Sequence, residues 1–239
     1  RQRQMCIRDR SYSNNIPMKN VPMRKFMEKQ LNISVNLEND ANAAALGEYT
    51  ANGHNASSYI LITLGTGIGG GAVINSKIYR GFNGVGIEPG HMTLINGGER
   101  CTCGKHGCWE TYGSVTALIN QTKLKMTDNP DSLMHKISGK FGEVNGRVAF
   151  EAAKAGDKAG LEVVEKYTEY VADGITSVIN IFEPEILVIG GGISKEGEYL
   201  LNPIRKFVEI NEFNKYRPKT KIEIASLNND AGIIGAALS

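Results

Sequence analysis

Residues 88 to 110 read E-P-G-H-M-T-L-I-N-G-G-E-R-C-T-C-G-K-H-G-C-W-E. Within them His91, Cys101, Cys103 and Cys108 form a donor set suited to one tetrahedral zinc, three thiolates and an imidazole. Cys101 and Cys103 make a tight pair, and Cys108 returns after a short loop containing Gly104 and Gly107, which allow so short a segment to bend back onto one metal. All four positions are filled by protein, so the ion is expected to be structural, with no open position to activate water. Glu88 and Glu110 flank the ligands. A zinc-tied loop would hold both carboxylates still, as reading the hydroxyls of a polar ligand requires.

Upstream, E-N-D-A-N-A-A-A-L-G-E (38–48) joins an extended stretch to an alanine-rich helix. Taken as a bare residue, Asp40 is a helix N-cap; taken as chemistry, it is a carboxylate at a junction facing a cleft. S-Y-I-L-I-T-L (58–64) is an apolar strand ending in G-T-G-I-G-G-G (65–71). The glycines formally satisfy G-x-G-x-x-G, but A-V-I-N-S-K-I-Y-R continues as a hairpin turning at Asn75-Ser76. No helix follows, and the dinucleotide reading is rejected. A strand, glycine loop and strand suit a phosphate clamp instead, in which Gly65 and Gly67 let amides approach oxygens and Thr66 adds a hydroxyl. E-I-L-V-I-G-G-G-I-S (185–194) places Gly190, Gly191 and Gly192 between a buried strand and a helix start, a second place where a nucleotide can lie close to the backbone.

E-P-G-H followed by C-x-C-G-x-x-G-C-x-E resembles the signature of the ROK family (repressors, open reading frames, kinases), whose enzymes are mostly bacterial sugar kinases. The resemblance runs from about residue 16 to 239 and is nearest to the glucokinases of the family. It implies an α/β, ribonuclease-H-like, actin-like ATPase fold with two domains and an interdomain cleft. It also implies ATP and Mg²⁺ alongside the structural Zn²⁺, and phosphorylation of a hexose, glucose foremost. N-acetylmannosamine, allose and fructose are the alternative substrates. By the same resemblance Asp40 is the catalytic base, while Asn39, Glu88, His91 and Glu110 bind sugar hydroxyls. His91 would serve zinc with one ring nitrogen and sugar with the other. Gly65, Thr66 and Gly67 fall on the phosphate side of the nucleotide site, and Gly190 to Gly192 on the adenosine side. A homodimer is implied. The rival class is a sugar-responsive repressor with a helix-turn-helix ahead of the same module, and only that class would bind nucleic acid.

Composition is that of an ordinary globular protein: 239 residues, 41% apolar and 22% charged. There is no membrane-length apolar run and no secretory leader; cysteines gathered at a metal fit the reducing cytoplasm. The opening R-Q-R-Q-M-C-I-R-D-R is read as a non-native leader, like a translated sequencing adapter, and Cys6 is discounted with it. Setting it aside takes the 27 basic and 25 acidic residues to 23 and 24, so the formal charge of +2 becomes −1. No charge argument for nucleic acid survives. The D-x-G-G-T phosphate loop that opens family members is not found. The chain is therefore expected to enter its protein near Ser11, with most of the small N-terminal domain missing, and to be inactive alone. Residues 11–39 are assigned to that domain's remnant, with the C-terminal helix (229–239) packing on it, and 40–228 to the large domain. Along the chain, Pro22 is expected in the first turn of a short helix bearing Phe26, Met27 and Leu31. A strand is expected at Ile33, Val35 and Leu37, a loosely constrained stretch over 125–145, and a long helix near Lys158 to Phe182 with Leu161, Val164, Tyr167, Val171, Ile175, Val178 and Ile179 in the core.

Overall fold

Arg10–Tyr12 (β1) pairs antiparallel with Lys19–Val21 (β2), and Met23–Leu31 (α1) follows. The structure, a computed structural model, describes residues 10–12, 19–52 and 55–239; Cys6 and nearly all of the suspected leader lie outside them. Pro22 stands at the N-cap of α1 rather than inside its first turn, and Asn32 closes the helix in the left-handed region at φ 53°. The strand expected over 33–37 does not form: these residues belong to no ladder. Alternation only marks which side chains share a face. A strand also needs a neighbouring edge to satisfy its backbone, and no described strand supplies one here.

Asp40–Ala51 (α2) leads into the central sheet of Ser58–Leu64 (β3), Ile68–Ile74 (β4), Lys77–Ile78 (β5), Ile186–Gly190 (β6) and Lys221–Ile224 (β7), in the order β5-β4-β3-β6-β7. β4 runs antiparallel to β3, whereas β6 lies parallel to β3 and β7 parallel to β6. The turn from β4 to β5 falls on Asn75 and Ser76, at φ 49° and 60°. Paired positive φ values are the backbone of a type I′ hairpin turn, which Asn tolerates well. Both faces of β3 are buried: Tyr59 and Leu61 pack toward α2 with Tyr49 and Val188, while Ile60, Ile62 and Leu64 enter the larger core opposite. That two-sided burial explains why β3 and β6 read as continuous apolar runs.

The larger core is roofed by Glu110–Gly113 (α3), Val115–Asp128 (α4), Leu133–Phe141 (α5), Val148–Lys154 (α6), Lys158–Phe182 (α7) and Glu198–Asn211 (α8). The 125–145 stretch is more ordered than its composition suggests. Ser132 caps α5, Met134 and Ile137 are buried, and Asp157 ties Ser132, Leu133 and Gly160 together. Helix α7 has the expected bounds, but Leu161 faces outward at 40% exposure while the other six expected core residues are buried. The terminal helix Asp230–Leu238 (α9) lies along α2, within the segment assigned to the large domain. From the 19–39 segment, Asn36 Nδ2 donates to the carbonyl of Ser239, the residue after α9, at 3.4 Å. Buried Glu48 fixes that arrangement, accepting from the Ser226 and Leu227 N–H groups at 3.0 and 2.7 Å. Among the described residues no helix is long and apolar enough to cross a membrane.

Candidate functional site

The four expected metal ligands converge. One donor atom from each of His91, Cys101, Cys103 and Cys108 lies within 4.8 Å of the others. Cys103 Sγ and Cys108 Sγ are 3.6 Å apart, as are Cys101 Sγ and His91 Nδ1. Thiolates about 2.3 Å from a tetrahedral ion would sit about 3.8 Å from each other, so the set fits zinc. Nδ1 faces the thiols, which leaves Nε2 as the ring nitrogen for another partner. Burial first, and the neighbouring thiols next, push the Cys108 thiol up to about 12. Cys103 is held below its ordinary value, chiefly by the Lys105 backbone N–H. The loop closes because Gly107 takes φ 78°, in a place where a Cβ would strike the Ile95 carbonyl. Trp109, between the last ligand and Glu110, is fully buried and donates from Nε1 to the Tyr170 carbonyl at 2.8 Å, pinning the module to α7.

Beside this module lie the expected carboxylates. Glu88 precedes a short 3₁₀ turn, Pro89–His91, that carries it and His91 together. Its carboxyl is raised from its ordinary value by partial burial first; His91 works against the rise, and the Asp40 and Glu110 carboxylates add to it. Glu88 thus feels Asp40, His91 and Glu110 through space, although 70 residues separate Asp40 from Glu110 in sequence. Asn39, not Asp40, is the N-cap of α2: its side chain accepts from the Ala41 and Asn42 N–H groups at 2.8 and 3.1 Å. Asp40 occupies the first helical position with its side chain exposed.

The register of the sheet brings the two glycine loops together. β3 and β6 are adjacent and parallel with Thr63 opposite Gly190, so Gly65–Gly67 and Gly190–Gly192 leave the same edge side by side. Gly191, at φ 92°, approaches so closely that a Cβ there would meet the Leu64 carbonyl at 2.1 Å. A 3₁₀ turn, Gly192–Glu196, follows the second loop, and α8 starts only at Glu198 rather than at the glycines themselves. In parallel sheets, ligands collect outside the carboxyl ends of strands. Ala41 packs over Gly69 at the start of β4, so Asp40 overlooks that same edge.

The family model of the ROK family matches residues 9–238. The chain belongs to the ROK family. A glucokinase of Halalkalibacterium halodurans is 40% identical over 223 residues, 92% of this chain and 68% of that protein. The crystal structure of a ROK family glucokinase from Streptomyces griseus, in complex with glucose and AMPPNP, matches with a TM-score of 0.87 at 34% identity, covering 97% of this chain and 76% of that one. A xylose repressor of Caldicellulosiruptor bescii is 30% identical over 222 residues, 92% of this chain and 55% of its own length. The sheet and its helices are those of the actin-like ATPase fold of ROK sugar kinases.

Three features of this ROK site escaped the sequence. Glu110 does more than flank a ligand: its Oε2 accepts from the Ile68 N–H at 3.0 Å, and a Cβ on Gly67 would meet the same oxygen at 2.2 Å. Glu38, directly before Asn39, accepts from the Asn39 N–H at 3.0 Å and from Arg80 Nε at 2.7 Å, bracing the α2 entrance against the 80–88 loop. Ile87 adopts φ 61°, an uncommon state for a β-branched residue, immediately before Glu88. None leaves a one-dimensional signal beyond the acid itself.

Proposed function

We propose that this ROK protein phosphorylates a hexose from ATP, with glucose the leading substrate. The observation carrying this reading is Asp40, at the start of α2, overlooking the edge where both glycine loops emerge and within electrostatic reach of Glu88. Similarity to glucokinases supports the choice of sugar.

In this reading Asn39, Glu88, Glu110 and His91 Nε2 hold the sugar hydroxyls, and the reacting hydroxyl points at Asp40. As its oxygen bonds to the γ-phosphorus, the bond from that phosphorus to the bridging oxygen breaks and ADP leaves. The hydroxyl proton passes to the Asp40 carboxylate. A sugar hydroxyl is far less acidic than a carboxylic acid, so the proton moves late and Asp40 also serves to aim the nucleophile. The glycine loops face the nucleotide, and bound Mg²⁺ would offset charge on its phosphates. Zinc at His91, Cys101, Cys103 and Cys108 would hold the imidazole tautomer that leaves Nε2 for the sugar.

Asp40→Asn in the complete gene product tests this. Turnover in a coupled ADP assay over a hexose panel is expected to fall by about 10²–10⁴, with hexose affinity by calorimetry retained. Near-wild-type turnover would remove Asp40 from the role. The likeness to a xylose repressor motivates a second reading, a sugar-responsive regulator. Hexose binding without ADP formation in the wild-type protein, joined to sugar-dependent DNA binding, would favour it.

A further inference from the structure

The Gly65–Gly67 loop is held from one side by residues 110–116. Val115 N–H donates to the Gly65 carbonyl at 2.8 Å, and Thr116 Oγ1 donates to the Thr66 carbonyl at 2.7 Å. The Glu110 carboxylate takes the Ile68 N–H at the loop's exit. The clamp is itself tied down. Ser114 caps α4 by accepting from Ala117 N–H at 3.1 Å, and Thr111 Oγ1 bonds back to the Cys108 carbonyl at 2.7 Å.

A trans peptide unit points its C=O and the next N–H in opposite directions. Holding the Gly65 carbonyl toward Val115 therefore turns the Thr66 N–H away from α4, and holding the Thr66 carbonyl toward Thr116 does the same for the Gly67 N–H. Two successive amides facing one way make a concavity for an anion. We infer that Thr116 is a positioning residue for the nucleotide: its hydroxyl aims the Gly67 amide at a phosphate oxygen. The inference deepens the kinase reading and rests on it for the identity of the anion. It also gives the segment leading out of the zinc module a purpose on the nucleotide side.

The test compares Thr116→Val, which keeps the shape and removes the donor, with Thr116→Ser, which keeps the donor. A non-hydrolysable ATP analogue is titrated into the complete protein, glucose is titrated separately, and amide hydrogen exchange is followed across residues 65–68. Thr116→Val is expected to weaken the analogue about fivefold, the worth of one ordinary hydrogen bond. Exchange at Thr66 and Gly67 should quicken and the melting temperature fall by no more than about 2–4 °C, while glucose affinity stays at the wild-type value. Thr116→Ser should restore all of these. Unchanged analogue affinity with unchanged loop exchange would overturn the inference, and so would an equal loss of analogue and glucose. If the wild-type protein binds no analogue, the kinase reading and the phosphate assignment fail together. The exchange data would then still decide whether Thr116 sets the loop.

Discussion

Residues 19–39 and 88–110 invert the usual relation between pattern and order. The first has regular apolar spacing, yet α1 buries no residue, and Phe26, Leu31 and Ile33 are 57%, 52% and 62% exposed. The second has almost no regular structure, only a 3₁₀ turn and two isolated bridges, yet Cys101, Cys108 and Trp109 are buried. Periodicity tells which side chains share a face; it does not supply the surface that face packs against. Convergent donors and an indole hydrogen-bonded across the fold need no periodicity. They define a structure by cross-links.

The strongest way to break this contrast is to remove a cross-link. Cys108→Ser places a weak ligand at a position with no exposure. Metal analysis is expected to drop from one zinc per chain to a small fraction, because structural sites couple metal binding to folding. Denaturant unfolding should show the largest loss of any substitution considered. Full zinc content in that variant would refute the ligand set. Trp109→Ala comes next: it empties a fully buried indole site and orphans the Tyr170 carbonyl. A cost of roughly 3–5 kcal/mol is expected for such a truncation. If the loss stays under about 1 kcal/mol, the module is held by its metal alone and the indole is not its anchor to α7.

What could be read in advance divides along the same line. The cysteine spacing, the Asn39-Asp40 junction and both glycine loops were legible because their chemistry is local in sequence. The strand order made the glycine loops neighbours, a result no spacing contains. Glu110 reaching Ile68 across 42 residues, and Trp109 reaching the Tyr170 carbonyl across 61, depend on how α3 settles against the sheet and α7. Glu48 was hidden for a related reason: in an alanine-rich helix it reads as a solvent-facing acid, yet it is fully buried and holds the backbone leading into α9. The misread strand at 33–37 errs in the other direction. There the local signal was present, and no described strand pairs with it.

The smallest expected effect tests the weak side of the contrast. Phe26→Ser replaces a large apolar residue in α1 by a polar one of similar helix propensity. The ring is 57% exposed and belongs to neither buried cluster, so little apolar area returns to water. Surface changes of this kind stay within about 0.5 kcal/mol, and for a chain of this size that moves the melting temperature by only about 1–2 °C. Thermal unfolding of this chain, with and without the substitution, measures it. A loss above about 1 kcal/mol would mean that α1 has a packing partner within the chain, so that periodicity and burial agree at residues 19–39 after all. A null result, set beside a large loss in Trp109→Ala, would show that two segments of similar length owe their order to different physics: one to its own helix bonds, the other to what it is tied to.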